Sequence, residues 1–260
     1  MKKILQIFLT SILTVGFAVS SVLALDLGRD ITIFDGISST QNWYGINEDQ
    51  EVEPGCVADQ VWDLEGFYLN DSILTMVGGF DFEKGVKGEP SGDLFIDING
   101  DARYGAVADT GSQIVNGYQD IMDNFGYEYA IHFNFTENTY DLFGLTSAST
   151  VSVYYDQNEA SNPLSYADGG QTLNGGIFSY YTGLDDSEVG WLQGGTHNAI
   201  SLDLLSINQD FDLEKFTAHY TMYCGNDNLM GSPVPEPASM ILFGTGLMGL
   251  AALTRRKFYF

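Results

Sequence analysis

In the stretch GDLFIDINGDARYG, Asp97, Asn99 and Asp101 recur at every second residue, with Asp93 just upstream. Hard carboxylate and amide oxygens at this spacing can begin a Ca²⁺ site, since the ion takes roughly six to eight oxygen ligands. The match to a helix-loop-helix calcium loop is partial. Ala102 stands where that loop wants glycine, and Ala108 where it wants a bidentate glutamate. The competing reading is a type I′ hairpin at Asn99-Gly100 whose carboxylates are merely solvated. Ca²⁺ is the one cofactor the residues suggest.

Other chemistry has less support. The chain holds no Gly-x-Ser-x-Gly elbow, and His132, His197 and His219 are scattered rather than set at metal-ligand spacing, so each is expected on the polar face of a strand. With 35 Asp and Glu residues, a carboxylate pair at glycosidase separation can arise anywhere. No catalytic residue is therefore assigned, and a polysaccharide-cleaving hydrolase is the alternative to a non-catalytic body. Trp43, Trp62 and Trp191 are candidate platforms for sugar rings, although such side chains are more commonly part of the core.

Charge narrows the partners. Of 10 basic residues, only Arg29, Lys84, Lys87, Arg103 and Lys215 lie between the two ends of the chain. A polyanion of this kind repels nucleic acid and anionic membrane surfaces. It suits divalent cations, neutral or cationic polymers such as exopolysaccharide, and solubility outside the cell.

Both ends look like addresses. Lys2 and Lys3 precede the uncharged apolar run from Ile4 to Leu23, and Val22-Leu23-Ala24 has the small-residue pattern of a cleavage site, so residues 1–24 read as a secretory signal peptide cut after Ala24. At the other end stands VPEPASMILFGTGLMGLAALTRRKFYF. Pro235 and Pro237 keep the triplet with Glu236 extended and out of any helix or sheet. The uncharged run from Ala238 to Leu253 would reach about 24 Å as a helix, slightly short of the ~30 Å hydrocarbon core. Arg255, Arg256 and Lys257 then anchor it on the cytoplasmic side.

Triplet, apolar span and basic tail together resemble the PEP-CTERM sorting signal of Gram-negative bacteria. The resemblance implies recognition of Pro235, Glu236 and Pro237 by an exosortase after passage through the export machinery. It also implies removal of the membrane anchor, and a place at the cell surface or in a biofilm matrix. The segments WDLEGFYL, LTMVGGFDF, GDLFIDING and HYTMYCGNDNLMG resemble motifs of one type of PEP-CTERM surface protein, which implies a β-rich body and no particular enzymatic activity.

Between a leader at 1–24 and a sorting segment at 232–260, residues 25–231 have the length of one β domain. Alternation of period two dominates. In YEYAIHFNF, Tyr127, Tyr129, Ile131, Phe133 and Phe135 share one face, with Glu128, Ala130, His132 and Asn134 on the other. DLFIDI, TVSVYY and EKFTAHYTMYC repeat the pattern. Turn chemistry at Asn70-Asp71, Asn99-Gly100, Asn138-Thr139, Gly169-Gly170 and Asn174-Gly175-Gly176 is expected to separate the strands. The predicted class is all-β, an antiparallel sandwich of jelly-roll or lectin-like type. Cys56 and Cys224, the only cysteines, are expected to form one disulfide in an oxidising compartment.

Overall fold

The computed structural model describes residues 24–33, 60–102, 117–123, 125–154, 162–225 and 227–233. Among them the regular structure is almost wholly antiparallel strand, as the alternation predicts. The strands are β1 (Arg29–Asp30), β2 (Leu64–Asn70), β3 (Ile73–Gly78), β4 (Leu94–Asp97), β5 (Gly117–Met122), β6 (Tyr129–Asn134), β7 (Thr139–Tyr154), β8 (Ser165–Leu184), β9 (His197–Asp203), β10 (Thr217–Thr221) and β11 (Asn228–Gly231). Their order in the sheet is β1-β2-β3-β9-β8-β7-β6-β4-β10-β11, with β5 paired to β7 off this path. No helix among the described residues is long and apolar enough to cross a membrane. The apolar runs at both ends of the chain lie outside the described residues.

The sheet closes on itself. Ile31 N–H donates to Phe67 O on β2, while Ile33 N–H donates to Met230 O and Ser232 N–H to Ile31 O, so one short segment pairs with β2 and with β11. Thr32 completes the junction by bridging to Gly231 and by accepting Phe67 N–H on its hydroxyl at 3.0 Å. Gly231 must stay bare, because a Cβ there would lie 2.8 Å from Phe67 side-chain carbons. The enclosed core contains Phe67, Leu74, Met76, Ile96, Ile131 and Tyr220.

Part of the opposite face is also covered. Phe95, Phe125, Tyr127, Ala130, Leu145 and Ala148 form a second buried cluster. The expectation that Ala130 faces solvent is thus corrected, and so is the placing of every histidine on a polar face. His132 is exposed, whereas His197 and His219 are fully buried. A strand covered on both faces loses the solvent side that the alternation implied.

Glycine pairs in β8 depart from their expected role as turns. β8 runs for 20 residues through Gly169-Gly170 and Asn174-Gly175-Gly176 without reversing. The register against β7 shifts between Tyr140 and Leu142 and between Gly144 and Ala148, which marks bulges. Gly169 and Gly170 have φ of 82° and 62°, and a Cβ on Gly175 would sit 1.9 Å from Tyr140 O. The glycines admit close backbone approach and let one long strand pair with β7 through its first part and β9 through its last.

Gly175→Ala should therefore cost about 2 kcal/mol in urea unfolding through overpacking. Gly144→Ala, whose Cβ would find its nearest neighbour at 3.7 Å, should stay within about 0.5 kcal/mol of the parent.

Candidate functional site

The most unusual polar arrangement lies where the loop 185–196 enters β9. His197 is fully buried, with Nδ1 2.7 Å from Glu65 Oε2 and Nε2 3.1 Å from Asp186 Oδ1. Both ring nitrogens face carboxylate oxygens, so both contacts are hydrogen bonds only if the ring is doubly protonated or one carboxyl carries a proton. Burial pushes the Glu65 pKa up, against the lowering effect of its bonds from Gln60 and His197. The His197 bond and the Gly195 N–H hold the Asp186 pKa below its ordinary value. Gln60 Nε2 closes the group by donating to Glu65 Oε1 at 3.0 Å and to Thr196 O at 3.3 Å.

The loop around this group is built to be rigid. Asp185 caps a 3₁₀ turn, Asp186–Glu188, by accepting from Ser187 N–H, while the Glu188 carboxylate accepts Asp185 N–H, a reciprocal capping box. Val189 is fully buried beside Leu27, Tyr68, Val77 and Ala199. Trp191 N–H donates to Asp186 O at 2.7 Å. Yet the Trp191 side chain is 76% exposed and its φ is +70°, a left-handed conformation that a bulky residue adopts at a cost of about 1 kcal/mol or more. Asp186, Trp191, Gln193, Gly194 and Gly195 line an open cleft of about 540 Å³. Trp62, by contrast, packs half-buried against the core with the Lys87 ammonium 5.4 Å above its ring. Trp43 lies outside the described residues.

The expected calcium ligands divide. Asp97, Asp101 and Glu128 offer ligand oxygens that lie within 4.8 Å of one another. Asp97 is buried and caps its own loop, Oδ1 accepting from Asn99 and Gly100 N–H and Oδ2 from Ala102 N–H. Asn99 directs its amide donor at Glu128, which also accepts Ile98 N–H at 2.8 Å. Asn99-Gly100 does turn the chain, but β4 pairs with β6 and β10 rather than forming a hairpin there. Asp93, just before the start of β4, is apart from this group: its carboxylate bonds His132 Nδ1 at 2.7 Å and Tyr166 N–H at 2.7 Å. Sequence reasoning misses Glu128 because only the pairing of Ile96 with Tyr129 brings it beside Asp97. Burial, reinforced by the Asp97 and Asp101 charges, raises the Glu128 pKa, and a bound cation would reverse that effect.

These carboxylates can be tested in two ways. At fixed ionic strength, Ca²⁺ held at a hundredfold excess over Kd should stabilise the protein by about 2.7 kcal/mol. Asp101→Asn and Glu128→Gln should abolish the saturable rise in Tm. Asp97→Ala is a poor probe, since orphaning three N–H groups would itself cost about 1–3 kcal/mol. The second test is pH. The Asp93 bond raises the His132 pKa above 6.5, and burial raises that of Asp93 above 3.8. Both shifts mean that the folded state binds protons more tightly than the unfolded chain, so their contribution falls as pH rises. Tm should therefore decline above about pH 6.5, and His132→Asn should flatten that part of the profile.

Of the other expected residues, Ala24 is exposed and immediately precedes Leu25, whose N–H donates to Glu188 O at 2.8 Å. Cys224 is half-buried against the main core, while Cys56 lies outside the described residues, as do Pro235, Glu236 and Pro237. Among the described residues the last pairing is at Ser232, whose N–H donates to Ile31 O and whose hydroxyl donates to Phe216 O at 2.8 Å.

Comparison with known proteins identifies the segment beyond this pairing. A family model, the PEP-CTERM protein-sorting motif, matches residues 233–257, beginning at the residue after Ser232. Neither the curated proteins nor the solved structures contain a match to the chain. The chain thus carries an exosortase-dependent sorting signal. That signal supports an exported protein with a membrane-anchored precursor in a Gram-negative bacterium.

Proposed function

We infer that this is a non-catalytic surface or biofilm-matrix protein, whose all-β body holds exopolysaccharide once exosortase has released it from the membrane. The observation that carries the reading is the sorting motif starting at residue 233, directly after the last paired residue among those described in an acidic β body. A chain with 35 acidic and 10 basic residues suits a hydrated, neutral or cationic polymer better than a nucleic acid or an anionic lipid surface. Export also favours the Cys56–Cys224 disulfide, which would close a very long loop.

The reading is tested in two stages. Protein recovered from the cell surface should lack residues 1–24 and the basic C-terminal tail by intact mass, and should carry the disulfide. Replacing Pro235, Glu236 and Pro237 together with Ala should leave the precursor in the membrane. Surface protein that retains RRKFYF overturns the sorting. The purified protein, incubated with the producer's own exopolysaccharide, should retain it without cutting it. New reducing ends that disappear when one carboxylate pair is changed would establish the hydrolase instead.

A further inference from the structure

We propose that the cleft at Trp191 and Asp186 is a glycan-binding subsite that takes one neutral or amino-sugar ring of a polysaccharide. This rests on the exopolysaccharide reading and gives it a location and a ligand class. Three independent features converge there. Trp191 offers a flat ring that is 76% exposed and belongs to none of the core clusters among the described residues, on a backbone that glycine would occupy without strain. Rings of this kind stack on the apolar face of a pyranose while its hydroxyls reach polar groups at the edge.

Asp186 supplies such a group. Its Oδ1 is held from two directions, by Gly195 N–H at 2.7 Å and His197 Nε2 at 3.1 Å, while Oδ2 takes no hydrogen bond from another described residue. The side chain is 41% exposed at the cleft. An acceptor fixed by one oxygen and open at the other can receive a sugar hydroxyl or an ammonium without losing freedom on binding. His197 and Glu65, both buried, act as positioning residues that keep this carboxylate in place.

The cleft has the dimensions and the charge for this ligand. Its volume of about 540 Å³ lies within the usual range for small-molecule sites, and Gln193 adds a further donor and acceptor. Asp185, Asp186 and Glu188 stand within one turn, and no cation belongs to the lining. An acidic sugar such as a uronate would meet like charge from Asp186 in the lining and from the adjacent turn. Neutral and amino sugars would not.

The test uses the full-length protein with three defined probes: a chitosan oligosaccharide, its fully N-acetylated counterpart and an alginate oligomer. Calorimetry should show saturable binding of at least one of the first two and none of alginate. Trp191→Gly should weaken binding about tenfold or more while leaving Tm unchanged or raised, because glycine relieves the left-handed strain. Asp186→Asn should weaken the chitosan oligosaccharide more than the acetylated one, since only the former brings an ammonium to the carboxylate. Unchanged affinity in Trp191→Gly, a lower Tm in that variant, or alginate bound as well as the others would each overturn the subsite. If Trp191→Gly still retains the producer's exopolysaccharide as the parent does, the broader reading stands and this site falls. If the defined oligosaccharides bind at Trp191 but the producer's polymer is not retained, the site stands and the matrix role falls.

Discussion

Pairing of Ile31–Ile33 with both β2 and β11 is the constraint on which the rest of the structure depends. An antiparallel sheet of this size has two edges, and each unpaired edge presents a row of donors and acceptors to any other chain. Here a single short segment occupies both, its hydrogen bonds to Phe67 O, Met230 O and from Ser232 N–H joining the first part of the body to the last. Closure curls the sheet around its core, brings Phe67 against Gly231, and sets the start and the end of the body side by side.

Closure also accounts for where polar groups are buried. The enclosed core is largely apolar, its Tyr140 and Tyr220 hydroxyls satisfied by Ser206 and Ser91, and the two acid–imidazole groups lie on the outer face instead. The Glu65–His197–Asp186 group lies under the loop 185–196, and Asp93 is enclosed where His132 and the Tyr166 N–H meet it. In each case the buried carboxylate has a histidine partner, as the cost of burying an unpaired charge requires. Asp97 and Asp227, also buried, are held instead by backbone N–H groups.

The class of the fold is legible because alternation is a local property. Leu94 and Ile96, or Phe216, Ala218, Tyr220 and Met222, declare their common face within a few residues. What covers the other face is a long-range property, and for that reason the pattern misplaces His197, His219 and Ala130. Glycine is ambiguous in a different way: positive φ serves a tight turn and a bulge equally, so Gly169-Gly170 cannot reveal that β8 continues through them. At the candidate sites, Asp97 with Asn99 and Gly100 is readable as a capped loop, whereas Glu128 and Glu65 join their partners only through strand pairing and loop packing. The sorting signal is the most legible feature, since its meaning lies in contiguous sequence rather than in a fold.

Because the segment that completes the sheet is Asn228–Ser232, the body cannot finish folding until almost all of it has emerged from the export channel. Thr32 waits across roughly two hundred residues for Gly231, a contact of very high sequence separation and correspondingly slow formation. Throughout that interval the free side of the Ile31–Ile33 segment and the edge of β10 remain open. The sorting motif begins at residue 233, so the strand that shuts the sheet and the sorting segment are neighbours in the chain. An anchor at that point in the precursor would hold the body in one place, apart from its copies, while that seam closes.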